Sequence, residues 1–275
     1  MLGKLIKHEW RAFWKIPAFV NLFLAIFTVF GVIALNAKIW ETENPIIQSV
    51  SVFVLLFYCI ALIVISFVTI FYTALRFYKN LYSDEGYLMH TLPVSQNSLI
   101  ISKLVVSYAW TIITWLVIMC SIFCLLWACL SSSGENISLM EIIRQVTDFF
   151  TDSSFISEYK ATFGISFIHT IILIFVFCII SPIYNTLMIY ASISLGQLFK
   201  KHKVLGSILS YIGIYIVLQI IQSIATAPIT LHNVYAEKFT LFGPYMYFLL
   251  GDCIGFIIVF FFLTQWIMKK KLNLD

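Results

Sequence analysis

Six uninterrupted apolar runs dominate the chain, at residues 17–37, 50–75, 104–130, 165–195, 204–227 and 245–268. Each exceeds the roughly 18 residues at which an apolar stretch becomes a candidate membrane span, because about 20 residues at ~1.5 Å each cross a ~30 Å hydrocarbon core. The runs are continuous rather than alternating, which excludes a membrane β-barrel. The expected fold is all-α: a polytopic membrane bundle of six transmembrane helices, preceded by an N-terminal amphipathic interfacial helix.

Composition closes off other classes. Hydrophobic residues make up 61% of the chain and charged residues 11%, against roughly 25% charged in a soluble domain. A water-soluble enzyme and a disordered chain are both excluded. The whole length, 1–275, reads as one transmembrane domain. The fourth run is too long for a straight perpendicular span, and Pro182 near its middle predicts a kink or a broken helix. The first run is expected to be a true span rather than a signal peptide, since an amphipathic segment precedes it and no small-residue cleavage site follows. The cysteines (Cys59, Cys120, Cys124, Cys129, Cys178, Cys253) fall mostly inside apolar runs and form no CxxC pair, so they read as small hydrophobes.

Basic residues set the expected orientation. Thirteen of the seventeen lie in segments that alternate crossing places on one side: Lys4, Lys7, Arg11, Lys15, Arg76, Lys79, Lys103, Lys200, Lys201, Lys203, Lys269, Lys270 and Lys271. The other side holds Lys38, Arg144, Lys160 and Lys238, together with most of the acids. Both termini are therefore expected in the cytoplasm of a plasma-membrane protein.

The segments between spans carry most of the functional signal. Residues 1–16 place Leu2, Leu5, Ile6, Trp10, Phe13 and Trp14 opposite Lys4, Lys7, His8, Arg11 and Lys15, the pattern of a helix lying on a membrane surface before Pro17 turns the chain inward. Segment 76–103 contains a helix-compatible stretch, 76–90, that Pro93 interrupts; Ser95 is positioned to cap the helix that follows. Its apolar Leu81, Tyr82, Tyr87, Leu88 and Met89 need cover, from a protein partner or from the bundle itself. Loop 196–206, with Lys200, Lys201, His202 and Lys203, fits contact with anionic lipid or a second partner contact. In loop 131–164, Ser138 and Glu141 form a capping-box pattern, and Leu139, Ile142, Ile143 and Val146 an apolar stripe. A short helix over the outer face is expected there, as a lid or a binding element.

The sequence Asp84-Glu85-Gly86-Tyr87-Leu88, then Thr91-Leu92-Pro93-Val94-Ser95, then Lys103 at the next helix entry, resembles the ABC type-2 permeases. These are six-helix membrane subunits of bacterial ATP-driven exporters. The similarity also covers the layout: amphipathic helix, two spans, motif, four further spans. It implies that Asp84, Glu85, Gly86, Leu88 and Pro93 lie at or beside the contact with a separate ATPase subunit, which binds ATP and Mg. It further implies a second permease subunit, identical or sister, and a segment 228–244 that dips back into the membrane. Tyr87, where a Thr is common, and Met89-His90 depart from the family pattern.

Catalytic chemistry is sparse. There is no GxxxxGK[ST], HExxH or GxSxG, so no nucleotide cradle, zinc protease helix or nucleophile elbow is expected. The histidines are scattered, and His169 reads as a hydrogen-bonded packing residue. Asp252 is the one formal charge within the spans, flanked by Gly251 and Gly255 in a small-xxx-small arrangement that permits close helix approach. Gln219 and Gln222 share a face of the fifth span. These three are the candidate intramembrane polar residues: Asp252 is expected to anchor the outer re-entrant segment or to contact substrate, and the glutamines to line a pathway or hydrogen-bond between helices.

The expected function is thus a non-enzymatic permease subunit of an ABC exporter, moving a lipid-like molecule, antimicrobial peptide or drug. Its expected partners are an ATPase subunit, a second permease and membrane lipid, with no nucleic acid and no cofactor of its own. The alternatives are a non-transporting sensor or immunity protein that binds a peptide at 131–164, and a membrane enzyme, disfavoured by the single intramembrane ionisable group.

Overall fold

The computed structural model describes residues 2–36, 45–83, 86, 94–132, 139–199, 201–235 and 243–270. They form α1 (Leu2–Phe13), α2 (Lys15–Asn36), α3 (Pro45–Tyr82), α4 (Gln96–Ser132), α5 (Leu139–Thr151), α6 (Ser153–Phe163), α7 (Phe167–Gly196), α8 (Lys203–Tyr235) and α9 (Pro244–Lys270). Among the described residues there is no strand. Six helices (α2, α3, α4, α7, α8 and α9) are long and apolar enough to cross a membrane, yet at most 22% of each apolar window is buried. Phe19, Phe67 and Ile224 remain 69%, 71% and 70% exposed. Water penalises that much exposed apolar surface, whereas lipid does not. The chain is an all-α, multi-pass membrane protein.

The helices group into two compact units, Met1–Leu75 with Val105–Ile143, and Arg76–Leu104 with Arg144–Asp275. The division falls inside α3 and α4, each of which contributes one stretch to either unit.

In the first unit, α1 and α2 are separated by Trp14 alone. Helical bonding carries across this elbow, from Trp14 N–H to the Trp10 carbonyl (3.1 Å) and from Ala18 N–H to the Trp14 carbonyl (2.9 Å). Pro17 falls in the first turn of α2, where a missing N–H costs little. The apolar side of α1 is seated on protein: Trp10 stacks on Trp110 with centroids 5.3 Å apart, and Phe13 meets Tyr72 at 4.8 Å. Lys4, Lys7, His8 and Arg11 are exposed, as an interfacial helix requires.

A polar seam runs through the same unit. Asn21 Nδ2 donates to Thr114 Oγ1 (3.2 Å), and the Ser121 hydroxyl lies 2.6 Å from those of both Thr28 and Tyr58. Positions 21 and 28 pair with 114 and 121, an equal step on both helices, so α2 and α4 run parallel. This is the geometry expected of spans separated by one crossing. Leu24, Leu35, Ala61, Ile65, Leu125 and Ala128 are buried around the seam.

In the second unit, α7 packs against both α8 and α9. Of the kink or broken helix expected at Pro182, the broken helix does not occur: α7 is helical throughout, Pro182 is buried, and its carbonyl accepts from Thr186 Oγ1 at 2.8 Å. The proline loses only its own donor. At the end of α7 a Cβ on Gly196 would overlap the backbone of Ser207, so only glycine permits this close turn into α8. Helix α8 continues through Pro228 to Tyr235, so residues 228–235 of the expected re-entrant segment prolong the fifth span, and residues 236–242 lie outside the described residues.

The long loop between the third and fourth spans contains the expected helix, α5, with Glu141 in its first turn; Ser138 lies outside the described residues. It also contains α6, capped by Asp152, which accepts from Ser154 N–H (3.0 Å) and Ser154 Oγ (2.7 Å), and closed by Gly164 at φ 76°. Phe150, Phe155 and Tyr159 surround Phe167, with centroids 4.7, 5.4 and 5.2 Å away, tying α6 to the start of α7.

Two outcomes follow for stability. Ser121→Ala removes two hydroxyl contacts and lowers unfolding free energy in mixed micelles by about 1 kcal/mol, with Thr28→Ala adding less than its separate effect. The hydrogen bonds from Ser154, side chain first and then backbone, hold the Asp152 carboxyl below its ordinary value. Its contribution to α6 is therefore complete above the usual carboxylate range and is lost as pH falls through the lowered value. The protection factor of the Ser154 amide, its exchange rate compared with the intrinsic rate at the same pH, should fall in that acid window and stay level above it.

Candidate functional site

The motif segment joins the bundle through two helical stems. The first continues α3 without a break to Tyr82 rather than forming a separate helix after the membrane. Phe77 lies flat on Tyr190 of α7, with centroids 3.7 Å apart and planes 7° from parallel. Both rings are 1% exposed, and Leu81 beside them is fully buried. One turn further, the Tyr82 and Ser194 hydroxyls lie 2.7 Å apart.

The second stem starts α4. Ser95 caps it as expected, with its hydroxyl accepting from Ser98 N–H at 3.3 Å and lying 2.8 Å from Ser98 Oγ. Gln96 Nε2 donates to the Met268 carbonyl in the last turn of α9 (3.3 Å), where helix carbonyls lack intrahelical partners. The two stems are thus fixed to the ends of α7 and α9. All four ends belong to the side that the basic residues mark out, with Lys79, Lys103, Lys203 and Lys269 close by in sequence.

Of the motif residues, Asp84, Glu85, Leu88 and Pro93 lie outside the described residues. Gly86 is buried; its N–H donates to the Ser83 carbonyl at 2.7 Å, and a Cβ there would stand 2.6 Å from the Leu81 carbonyl oxygen. A side chain at 86 would push against backbone, so this turn needs glycine.

The second location lies within the apolar layer. Gln222 Nε2 of α8 donates to Asp252 Oδ2 of α9 at 2.6 Å. Counted from the basic ends, Lys203 to Gln222 spans about 28 Å and Asp252 to Lys270 about 27 Å along their helices. The partners therefore meet at one height, in the half of the layer away from the lysines. Both side chains are half-buried, and among the described residues no Lys, Arg or His forms an ion pair with Asp252. An isolated carboxylate costs about 2.5–3.5 kcal/mol at the centre of the layer on insertion scales and less toward its edge, where Asp252 lies, and the Gln222 amide offsets part of that cost.

Gln219 does not join this pair. It lies on the outward face of α8, in a shallow groove of about 310 Å³ with Tyr215, Ile216, Ile220, Ser223 and Ile224. Gly251 and Gly255 are exposed, and a Cβ on either would meet nothing within 4 Å. The close helix approach expected at these glycines is thus not made among the described residues of this unit. His169 is hydrogen-bonded as expected, through Nε2 to the Tyr247 hydroxyl, but it is exposed rather than packed.

Sequence reasoning missed the anchors Phe77, Tyr190, Ser194, Gln96 and Met268. The spacing of Phe77 and Leu81 marked a buried helix face, but no local signal pairs them with residues more than a hundred positions away. Compared with known proteins, the chain matches no family model, no curated protein and no solved structure.

Removing the stacked ring should loosen the first stem. Phe77→Ala is expected to cost about 3 kcal/mol and Tyr82→Phe, which deletes one hydroxyl, about 1 kcal/mol. Both should raise proteolysis within 76–95 in detergent while leaving cleavage within 131–164 unchanged.

Proposed function

We propose that this chain is the permease subunit of an ATP-driven exporter of the ABC type, moving an apolar or amphipathic cargo across the plasma membrane. The observation that carries the reading is the double anchoring of the motif segment. A displacement of residues 84–93 reaches α7 through Phe77–Tyr190 and Tyr82–Ser194, and α9 through Gln96–Met268. An ATPase seated on that segment moves two membrane helices without needing contact with either.

Three further features support the proposal. The motif resembles that of the ABC type-2 permeases, the basic residues crowd the side carrying the motif, and the glycine within it is sterically required. In the proposed orientation that side is cytoplasmic, where ATP is found. ATP-driven closure of two ATPase subunits pushes the 79–95 segments and tilts the spans attached to them. Six helices enclose little volume, so a second permease subunit completes the pathway. The spans carry a single charge, which suits apolar or amphipathic cargo better than glycans.

A second reading, a sensor or immunity protein, is favoured by one feature. On α5, Met140 is 74% and Ile143 52% exposed, a surface available to a peptide. That function would not depend on an ATPase.

Affinity purification of the full chain in mild detergent separates the two. The permease reading expects an ATPase subunit to copurify, and expects replacement of Asp84, Glu85 and Gly86 by alanine to release it without lowering membrane abundance. Recovery without an ATPase, under conditions where an unrelated ABC complex survives, contradicts it.

A further inference from the structure

The geometry points to the Asp252–Gln222 pair as a binding site for the ammonium head of a cationic amphiphile, whose apolar body lies in the lipid against the bare flank of α9 at Gly251 and Gly255. Asp252 supplies a carboxylate inside an apolar layer with no cation from the chain among the described residues. Gln222 occupies one carboxylate oxygen and fixes the group's direction. The same amide carries a carbonyl oxygen, a second acceptor beside the first. A primary ammonium, with three donors and a positive charge, satisfies both.

The surroundings suit the rest of such a molecule. Asp252, Phe256 and Phe260 follow one another at four-residue steps and so lie on one face of α9. Phe256 and Phe260 are 5.7 Å apart, and Tyr184 of α7 stands 5.9 Å from Phe260. Tyr184 also lies within electrostatic range of Asp252 and of Tyr211 on α8. This face is closed by packing, with Phe260 only 4% exposed, so it backs the carboxylate and leaves a hydrocarbon tail the other flank. Beside the carboxylate, Gly251 and Gly255 present no side chain and nothing stands within 4 Å of either Cβ position, so a ligand reaches the acid from the lipid. The composition of the spans favours an apolar or amphipathic cargo; this site adds a single positive charge.

The inference deepens the permease reading by naming its cargo class, but its test needs no ATPase, so the two fail separately. The full chain in non-ionic detergent is titrated with dodecylammonium, with dodecanol as the neutral comparison, and bound ligand is counted by native mass spectrometry. One dodecylammonium should bind per chain. Asp252→Asn should weaken it at least tenfold, Asp252→Glu should retain it within about threefold, and dodecanol should not distinguish the three proteins. Gly255→Leu, which fills the open flank but keeps the acid, should also lose binding; it decides the matter if Asp252→Asn fails to fold. Equal binding of dodecylammonium by wild type and Asp252→Asn, or full binding by Gly255→Leu, overturns the site.

Discussion

Lipid cannot hydrogen-bond to a polypeptide backbone, and the architecture follows from that constraint. Each crossing segment must pair its own amides and carbonyls, so the apolar runs become long unbroken helices, including those through Pro182 and Pro228. Side-chain burial then ceases to be the main organising force. A Phe such as Phe67 loses nothing by facing hydrocarbon, and most of each span does face outward.

Helix association is left to the few groups that lipid does not solvate. The Asn21–Thr114 and Thr28–Ser121–Tyr58 bonds align α2, α3 and α4 in one unit; Gln222–Asp252 joins α8 to α9 in the other. At the Lys-rich end the pattern changes. There Phe77, Leu81 and Tyr190 are packed as tightly as a soluble core, with hydroxyl and amide bonds around them. The attachment of residues 76–82 to α7 is thus dense, whereas α8 and α9 meet in the apolar layer through sparse polar bonding.

The helices were legible in the sequence because hydropathy reports directly on a solvent with one strong preference. The Ser95 cap and the short helix after the third span were legible too, from local chemistry that acts within one turn. Boundaries were less so. Residues 76–82 and 96–103 were expected to be helical, but the first stretch continues α3 to Tyr82 where a short helix leaving the membrane was expected, and contacts with α7 and α9 hold both stems. The α6 caps, Asp152 and Gly164, were visible signals that went unread. The importance of Asp252 and Gln222 followed from the cost of polarity in hydrocarbon, but their pairing did not, since the thirty residues between them include a turn of unspecified geometry. For the same reason Gln219 and Gln222, equivalent by spacing, differ in the fold: one faces out and the other reaches the acid.

The central claim is that the anchored motif segment lies in the cytoplasm, within reach of an ATPase. Single cysteines at Asp84→Cys and Lys160→Cys, each in a chain lacking its native cysteines, test it through an impermeant maleimide applied to intact cells and to inverted vesicles. The account predicts labelling at position 84 only in inverted vesicles and at position 160 only in intact cells. Labelling of position 84 from outside intact cells would contradict it.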